Sequence, residues 1–171
     1  MLYFAHDFSK LRLCIIIAMS KGEAFIHEDR HYKALESMYL AAPINKIYRP
    51  TISVRNAEAE IEIEIKKEYF HSAGAVHGSV IFKMLDDAAF FAANSLETSF
   101  FVLTKSFTIY FTRPISNGSL RSVGRVVTKS SRQLIAESIA FDANGKVVGK
   151  GSGIFVRGKL LLLEAIGYSI A

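Results

Sequence analysis

The chain reads as an α+β protein in which one curved antiparallel sheet wraps round a single long central helix. Three observations predict this. Residues 79 to 96 carry no Pro or Gly and are rich in Ala, Leu, Met and Phe, which is helix composition. Ile61, Ile63 and Ile65 alternate with Glu60, Glu62, Glu64 and Lys66, the period of a strand with one buried and one wet face. Beyond the helix the pattern returns to strands, punctuated by turn signals such as Asn117-Gly118 and Asn144-Gly145. Strong curvature is the natural way for one sheet to bury one helix.

Taken in order, residues 1 to 30 form an N-terminal extension. Lys10 and Arg12 precede LCIIIAM, a short apolar run like a signal-peptide core, but no clear small-residue cleavage site follows. Met19 offers another start, so the reading is a misassigned start or a flexible extension rather than secretion. The spacing of Leu35, Met38, Tyr39 and Ala42 predicts an amphipathic helix from His31 to Ala42, which Pro43 stops. Thr51 to Arg55 is a short strand, followed by the Ile/Glu strand and by Tyr69-Phe70-His71. Gly74 and Gly78 mark a loop before the central helix.

After that helix, strands are expected over Thr104 to Arg113, Leu120 to Thr128, Gln133 to Phe141 and Lys146 to Arg157. The first shows Phe107, Ile109 and Phe111 on one face and is closed by Pro114. Ser130-Ser131 turns the second into the third. In the last, Gly149, Gly151 and Gly153 share a face, and a row of glycines predicts close approach by another element, here the Phe-rich helix. The main domain is thus 31 to 157, with an apolar tail, 158 to 171, of no assigned structure.

A chain of 171 residues, half of them hydrophobic, is long enough for one domain with a substantial core. No segment reaches the apolar length of a membrane span, so no membrane partner is expected. The single cysteine, Cys14, excludes an internal disulfide and fits a reducing compartment, which predicts a cytoplasmic protein. No His/Cys cluster has metal spacing, and neither a metal nor a cofactor is expected. The net charge is +5, and the basic residues of the last third are Arg113, Arg121, Arg125, Lys129, Arg132, Lys146, Lys150 and Arg157. They are interspersed, and no nucleic-acid motif accompanies them. They read as solvated strand edges and turns, or, more sharply, as a site for the phosphates of coenzyme A.

The chemistry concentrates in AGAVHGSVIFKMLDDAAFFAANSL, residues 73 to 96. Apolar residues leave this helix almost no polar face, so it is expected to be buried all round. Two carboxylates inside it need a reason, because an unpaired buried charge is costly. Lys83 stands four residues before Asp87 and faces it. Asp86 has no partner at helical spacing and is the candidate functional acid.

These residues resemble the hotdog-fold acyl-CoA thioesterases, in particular the phenylacetate-pathway (PaaI-like) group. The resemblance runs from Thr51 to Arg157 and rests on three features. One is the His77-Gly78 loop, and another is Asp86, nine residues after that histidine. The third is Tyr110-Phe-Thr-Arg-Pro114, which is similar to the family's aromatic-x-x-Pro strand end. Two positions depart from the pattern. Ser79 replaces the loop's second glycine, and His71 stands where related enzymes often have Asn.

The resemblance implies a hotdog fold and a thioesterase that hydrolyses an acyl-CoA to free acid and thiol. Backbone N–H groups of Gly78 and Ser79, at the positive end of the central helix, would polarise the thioester carbonyl. Asp86 would act as general base, or alternatively as nucleophile, with a pKa raised by burial. His71 would help hold the carbonyl, and Thr104 would orient the water. His77, Phe82 and Phe90 are assigned to substrate binding, His77 as the organiser of the loop. The resemblance also implies a homodimer or a dimer of dimers with sites between subunits, and the strand from Thr104 to Arg113 offers a pairing edge. Two other functions compete. A non-catalytic acyl-ligand binder on the same fold would need no buried acid. An enoyl-CoA hydratase would carry Asn-Pro between its acid and histidine, which this chain lacks.

Overall fold

The structure, a computed structural model, describes residues 28–170. The readings made on LCIIIAM, Cys14 and Met19 lie outside the described residues. Helix α1 spans residues 28–41, starting a little before His31, and buries Leu35, Met38 and Tyr39 as their spacing requires. Past Pro43 comes a short helix, α2 (Asn45–Tyr48), with no periodic signal of its own. Strands β1 (Thr51–Arg55) and β2 (Glu58–Glu64) follow, joined by a turn in which Ala57 has φ 58°. Ala59, Ile61 and Ile63 bury the inner face of β2; Ile65 falls beyond the strand end and is half-buried.

The central helix, α3 (Gly78–Asn94), is capped by the His77 ring, whose Nδ1 accepts from the Ser79 N–H at 3.1 Å. It stops two residues short of the expected Leu96, at Asn94, and the Ser95 hydroxyl turns back onto the Ala92 carbonyl at 2.7 Å. Four strands follow: β3 (Phe100–Phe111), β4 (Ser119–Lys129), β5 (Leu134–Asp142) and β6 (Val147–Leu161). The order across the sheet is β1-β2-β4-β5-β6-β3, every neighbouring pair antiparallel. The sheet curves, and α3 contacts each of its six strands. The expected architecture, one curved sheet round one central helix, is therefore what the chain adopts.

Three expectations need correction. First, β3 begins at Phe100 rather than Thr104, so Thr104 lies inside the strand, beside a register shift between Thr104 and Ser106. Second, α3 is not buried all round. Met84, Leu85, Ala88 and Ala89 are sealed, but Ser79 and Phe82 are exposed and Asp86 and Phe90 only half-buried. These four recur at helical spacing and form an open stripe beside the edge strand β3. Third, the helix does not press on the whole glycine row of β6. Only Gly149 meets it, near Ile81 and Leu85; over Gly151 and Gly153 lies the ring of Phe107 from β3. The close approach of helix to sheet is at Gly124 on β4, where a Cβ would collide with the backbone at Ala88–Ala89.

The apolar tail docks. Leu162 and Tyr168 are buried, and the Tyr168 hydroxyl pairs with His31 Nδ1 at 2.8 Å, tying the chain end to α1. Among the described residues no helix is long and apolar enough to cross a membrane.

Candidate active site

Two of the expected groups meet at the middle of α3. The Thr104 hydroxyl, brought in by β3, donates to Asp86 Oδ1 at 3.2 Å. Burial pushes the Asp86 carboxyl up to about 6, and the adjacent Asp87 charge adds to the rise. The Thr104 hydrogen bond and the Lys83 charge pull it partly back. Asp86 opens on a cavity of about 350 Å³, whose walls include Met38, Phe90, Phe91, Phe101 and Leu103. An acid raised toward neutrality beside an apolar cavity can take a proton from water near neutral pH.

Asp87 is engaged as its spacing predicts. It pairs with Lys83 and accepts from the Tyr39 hydroxyl at 2.8 Å. Lys83 also stands 5.0 Å from the ring centre of Tyr39 and 5.2 Å from that of Tyr48. Burial, then the Asp87 carboxylate, push the Tyr39 phenol up. Tyr39 and Lys83 thus belong to the wall of the Asp86 cavity. Local sequence gave no sign of the Tyr39 contact, because it joins α1 to α3, which α2, β1 and β2 separate in the chain.

The remaining groups gather at the N-terminus of α3, round a second cavity of about 460 Å³ lined by His71, Gly78, Phe111 and Arg113 among others. His71 Nδ1 accepts from the Ala73 N–H at 3.1 Å, and its ring centre lies 6.5 Å from that of His77. His77 Nδ1 serves both the Ser79 N–H and, at 2.8 Å, the Ser79 hydroxyl. The Ser79 N–H is therefore occupied by the cap. The Gly78 N–H makes no hydrogen bond among the described residues, and the ring of Phe111 lies close against that glycine.

The two groups of residues do not meet within one chain. Asp86 follows Gly78 by eight residues, about 12 Å of helix rise at 1.5 Å per residue. Phe90 lines the Asp86 cavity, whereas Phe82 stands outside it, edge-on to Phe107 at 5.7 Å. Among the described residues no group of three His, Cys, Asp or Glu side chains could hold a metal ion.

Comparison with known proteins finds relatives in sequence and in fold. A model of the Thioesterase superfamily matches residues 73–148, from the His77 loop through β5 to the start of β6. A protein of Saccharolobus solfataricus named "Putative esterase" is 27% identical over 125 residues, which are 71% of this chain and 88% of that protein. The PaaI protein of Escherichia coli, from the phenylacetic acid degradation operon, superposes with a TM-score of 0.72. It is 18% identical and covers 79% of this chain and 98% of its own. The phenylacetic acid degradation protein PaaI of Thermus thermophilus, in a mutant form, superposes with a TM-score of 0.63. There the identity is 19%, over 68% of this chain and 100% of that one. The fold is the hotdog fold, and the chain is similar to the PaaI-like thioesterases as its loop and helix residues suggest.

Proposed function

We propose that the protein is an acyl-CoA thioesterase that works as a homodimer, each site combining groups from two copies. The observation that carries this reading is Asp86: in no ion pair among the described residues, held by Thr104, raised to about 6 and open to a largely apolar cavity. Its similarity to thioesterases and esterases supplies the reaction class, hydrolysis of a thioester or ester.

The dimer answers the separation of the two cavities. Thr104, which holds Asp86, and Phe111, which lies on Gly78, stand on one edge strand. They are about 23 Å apart along it at ~3.3 Å per residue. Pairing β3 antiparallel with β3 of a second copy, about a two-fold axis near Phe107–Thr108, would set one copy's Thr104 opposite the other's Phe111. Asp86 of one copy would then face Gly78 of the other. The open stripe of α3 and the exposed Leu103, Tyr110 and Phe111 would be covered together.

In that site the acyl chain occupies the Asp86 cavity. The thioester carbonyl takes the Gly78 N–H at the positive end of α3, with His71 beside it. Asp86 removes a proton from a water that Thr104 orients, and the water attacks the carbonyl carbon. Collapse of the tetrahedral species expels the thiolate, which takes a proton as free thiol, and releases the acid. The dimer could pair further as a dimer of dimers, and the reading places the protein in the cytoplasm.

The test is release of thiol from short, medium, long and aromatic acyl-CoAs. Asp86→Asn should lower kcat by about a hundredfold or more, with little change in folding, while Asp87→Asn should cost far less. Turnover that survives Asp86→Asn and is lost in Asp87→Asn would overturn the assignment. No turnover of any acyl thioester by the wild-type protein would leave the non-catalytic acyl binder as the better reading.

A further inference from the structure

We infer that the end of the chain sets which acyl groups the site admits: Gly167 and Tyr168 clasp α1, and α1 is the adjustable wall of the Asp86 cavity. This deepens the thioesterase reading above and rests on it. The walls of that cavity differ in how they are held. Phe90 and Phe91 stand on α3, and Phe101 and Leu103 on β3, which its ladder to β6 locks in place. Met38 and Tyr39 come from α1. Among the described residues that helix joins no ladder of the sheet, and its side chains hold it. Glu36 accepts from the Val54 N–H at 2.9 Å, and the Tyr39 hydroxyl donates to Asp87 at 2.8 Å. A wall held by side chains shifts at lower cost than one locked into a sheet.

The tail closes on this helix. It leaves β6 from a fixed base, where Leu162 is buried and its N–H donates to the Ser99 carbonyl at 3.0 Å. It then reaches α1 at Gly167. A Cβ on Gly167 would stand 2.5 Å from the Ala41 Cβ and 3.0 Å from the Ser37 carbonyl oxygen, and φ there is 81°. Any side chain at this position would meet both a collision and a strained backbone. The Met38 Cα lies in the same contact, and Met38 is itself a wall of the cavity, so it links the tail to the place of the acyl chain. Tyr168 is buried beside it. His31 Nε2 donates to the Asn94 carbonyl at 3.1 Å, which leaves Nδ1 to accept from the Tyr168 hydroxyl at 2.8 Å. His31 thereby ties the tail and α1 to the end of α3. With the clasp released, α1 can draw back and the cavity gains room on that side. Gly167 and Tyr168 are positioning residues: they act on the substrate through α1.

The experiment follows the acyl preference of the full chain. Thiol release is measured on short, medium and long saturated acyl-CoAs for wild type, Tyr168→Ala, Tyr168→Phe and Gly167→Ala. Gly145→Ala is the control, a strained glycine position with nothing within 4 Å. Tyr168→Ala and Gly167→Ala should raise the ratio of kcat/KM for long over short chains by about tenfold, through a lower KM for the long ones. Tyr168→Phe keeps the ring and loses only the hydroxyl, so it should raise the ratio by about threefold. Gly145→Ala should leave it unchanged. Should Tyr168→Ala not fold, Tyr168→Phe decides on the same ratio. An unchanged or lowered ratio in the folded variants, a loss equal at all chain lengths, or an equal shift in Gly145→Ala would overturn the inference. Binding of saturated fatty acids of the same lengths is read beside turnover by titration calorimetry. Turnover by wild type with no shift of either preference in the clasp variants sinks the inference alone. A fatty-acid preference that shifts in those variants, with no thioester turned over by any of them, sinks the thioesterase reading alone. Neither binding nor turnover at any length sinks both.

Discussion

At the scale of single residues, Asp86 and Asp87 are neighbours with opposite fates. Asp87 meets Lys83 and Tyr39; Asp86 accepts from the Thr104 hydroxyl and opens on a largely apolar cavity. The Asp86 carboxyl is raised from 3.8 to about 6, so two pH effects follow. Activity that needs the carboxylate should rise with pH along a limb centred near 6, and Thr104→Val, which removes a hydrogen bond to the charged form, should move that limb upward. Rate profiles of the two proteins check this; identical limbs would deny Thr104 its role. Stability moves the other way. The folded state holds the Asp86 proton more tightly than the unfolded chain, so stability is lost as pH rises from about 4 through about 6. Asp86→Asn should therefore melt higher than wild type at pH 8, by on the order of 1 kcal/mol after allowance for solvent screening, and the gap should close toward pH 4. A constant gap across that range would show that the carboxylate is not strained by burial.

At the scale of elements, the seam between α3 and the sheet depends on one position without a side chain. Gly124 on β4 lies under the Ala88–Ala89 backbone, and a Cβ there meets main chain rather than a movable side-chain tip. Gly124→Ala should destabilise the fold by about 3 kcal/mol or more, whereas Gly145→Ala, strained only by a φ of 75° in open space, should cost about 1 kcal/mol. Urea unfolding of both variants decides it. Gly124, a lone glycine in a strand, signals a bulge or a close approach in sequence but not which element would approach. The row at Gly149, Gly151 and Gly153 did announce a close approach, but not that Phe107 would fill it. The same division holds for the site. Asp86 and the His77 loop were legible because helical spacing is local and the motif contiguous. The Lys83–Asp87 pair was legible for the same reason. Tyr39 was hidden, because its contact with Asp87 spans two helices far apart in sequence, and α2 was hidden because four residues hold no period. That the Ser79 N–H is already used depends on the rotamer of His77, which no pattern reveals.

At the scale of the whole molecule, Asp86 and Gly78 line separate cavities, and the dimer reading predicts that copies can repair each other. Asp86→Asn removes the base and leaves the loop intact. Gly78→Pro removes the N–H and leaves the base intact. Proline is tolerated there because Gly78 is the first residue of α3 and His77, with φ −63° and ψ 139°, already has the extended conformation that precedes proline. The Phe111 ring, which lies against Gly78, is exposed and can turn aside. Each variant alone should be nearly inactive. Mixed in equal amounts, unfolded and refolded together, they should form mixed dimers in about half of the population. One site of each mixed dimer would join the intact Asp86 of one copy to the intact Gly78 of the other, while the second site would carry both lesions. Activity should therefore return to about a quarter of the wild-type value per chain, and light scattering should find dimers or larger at micromolar concentration throughout. Mixing without refolding should restore activity only as fast as subunits exchange. A refolded mixture no more active than the average of its two components would mean that Asp86 and Gly78 work within one chain or not together, and a monomer by scattering would exclude a site shared between copies.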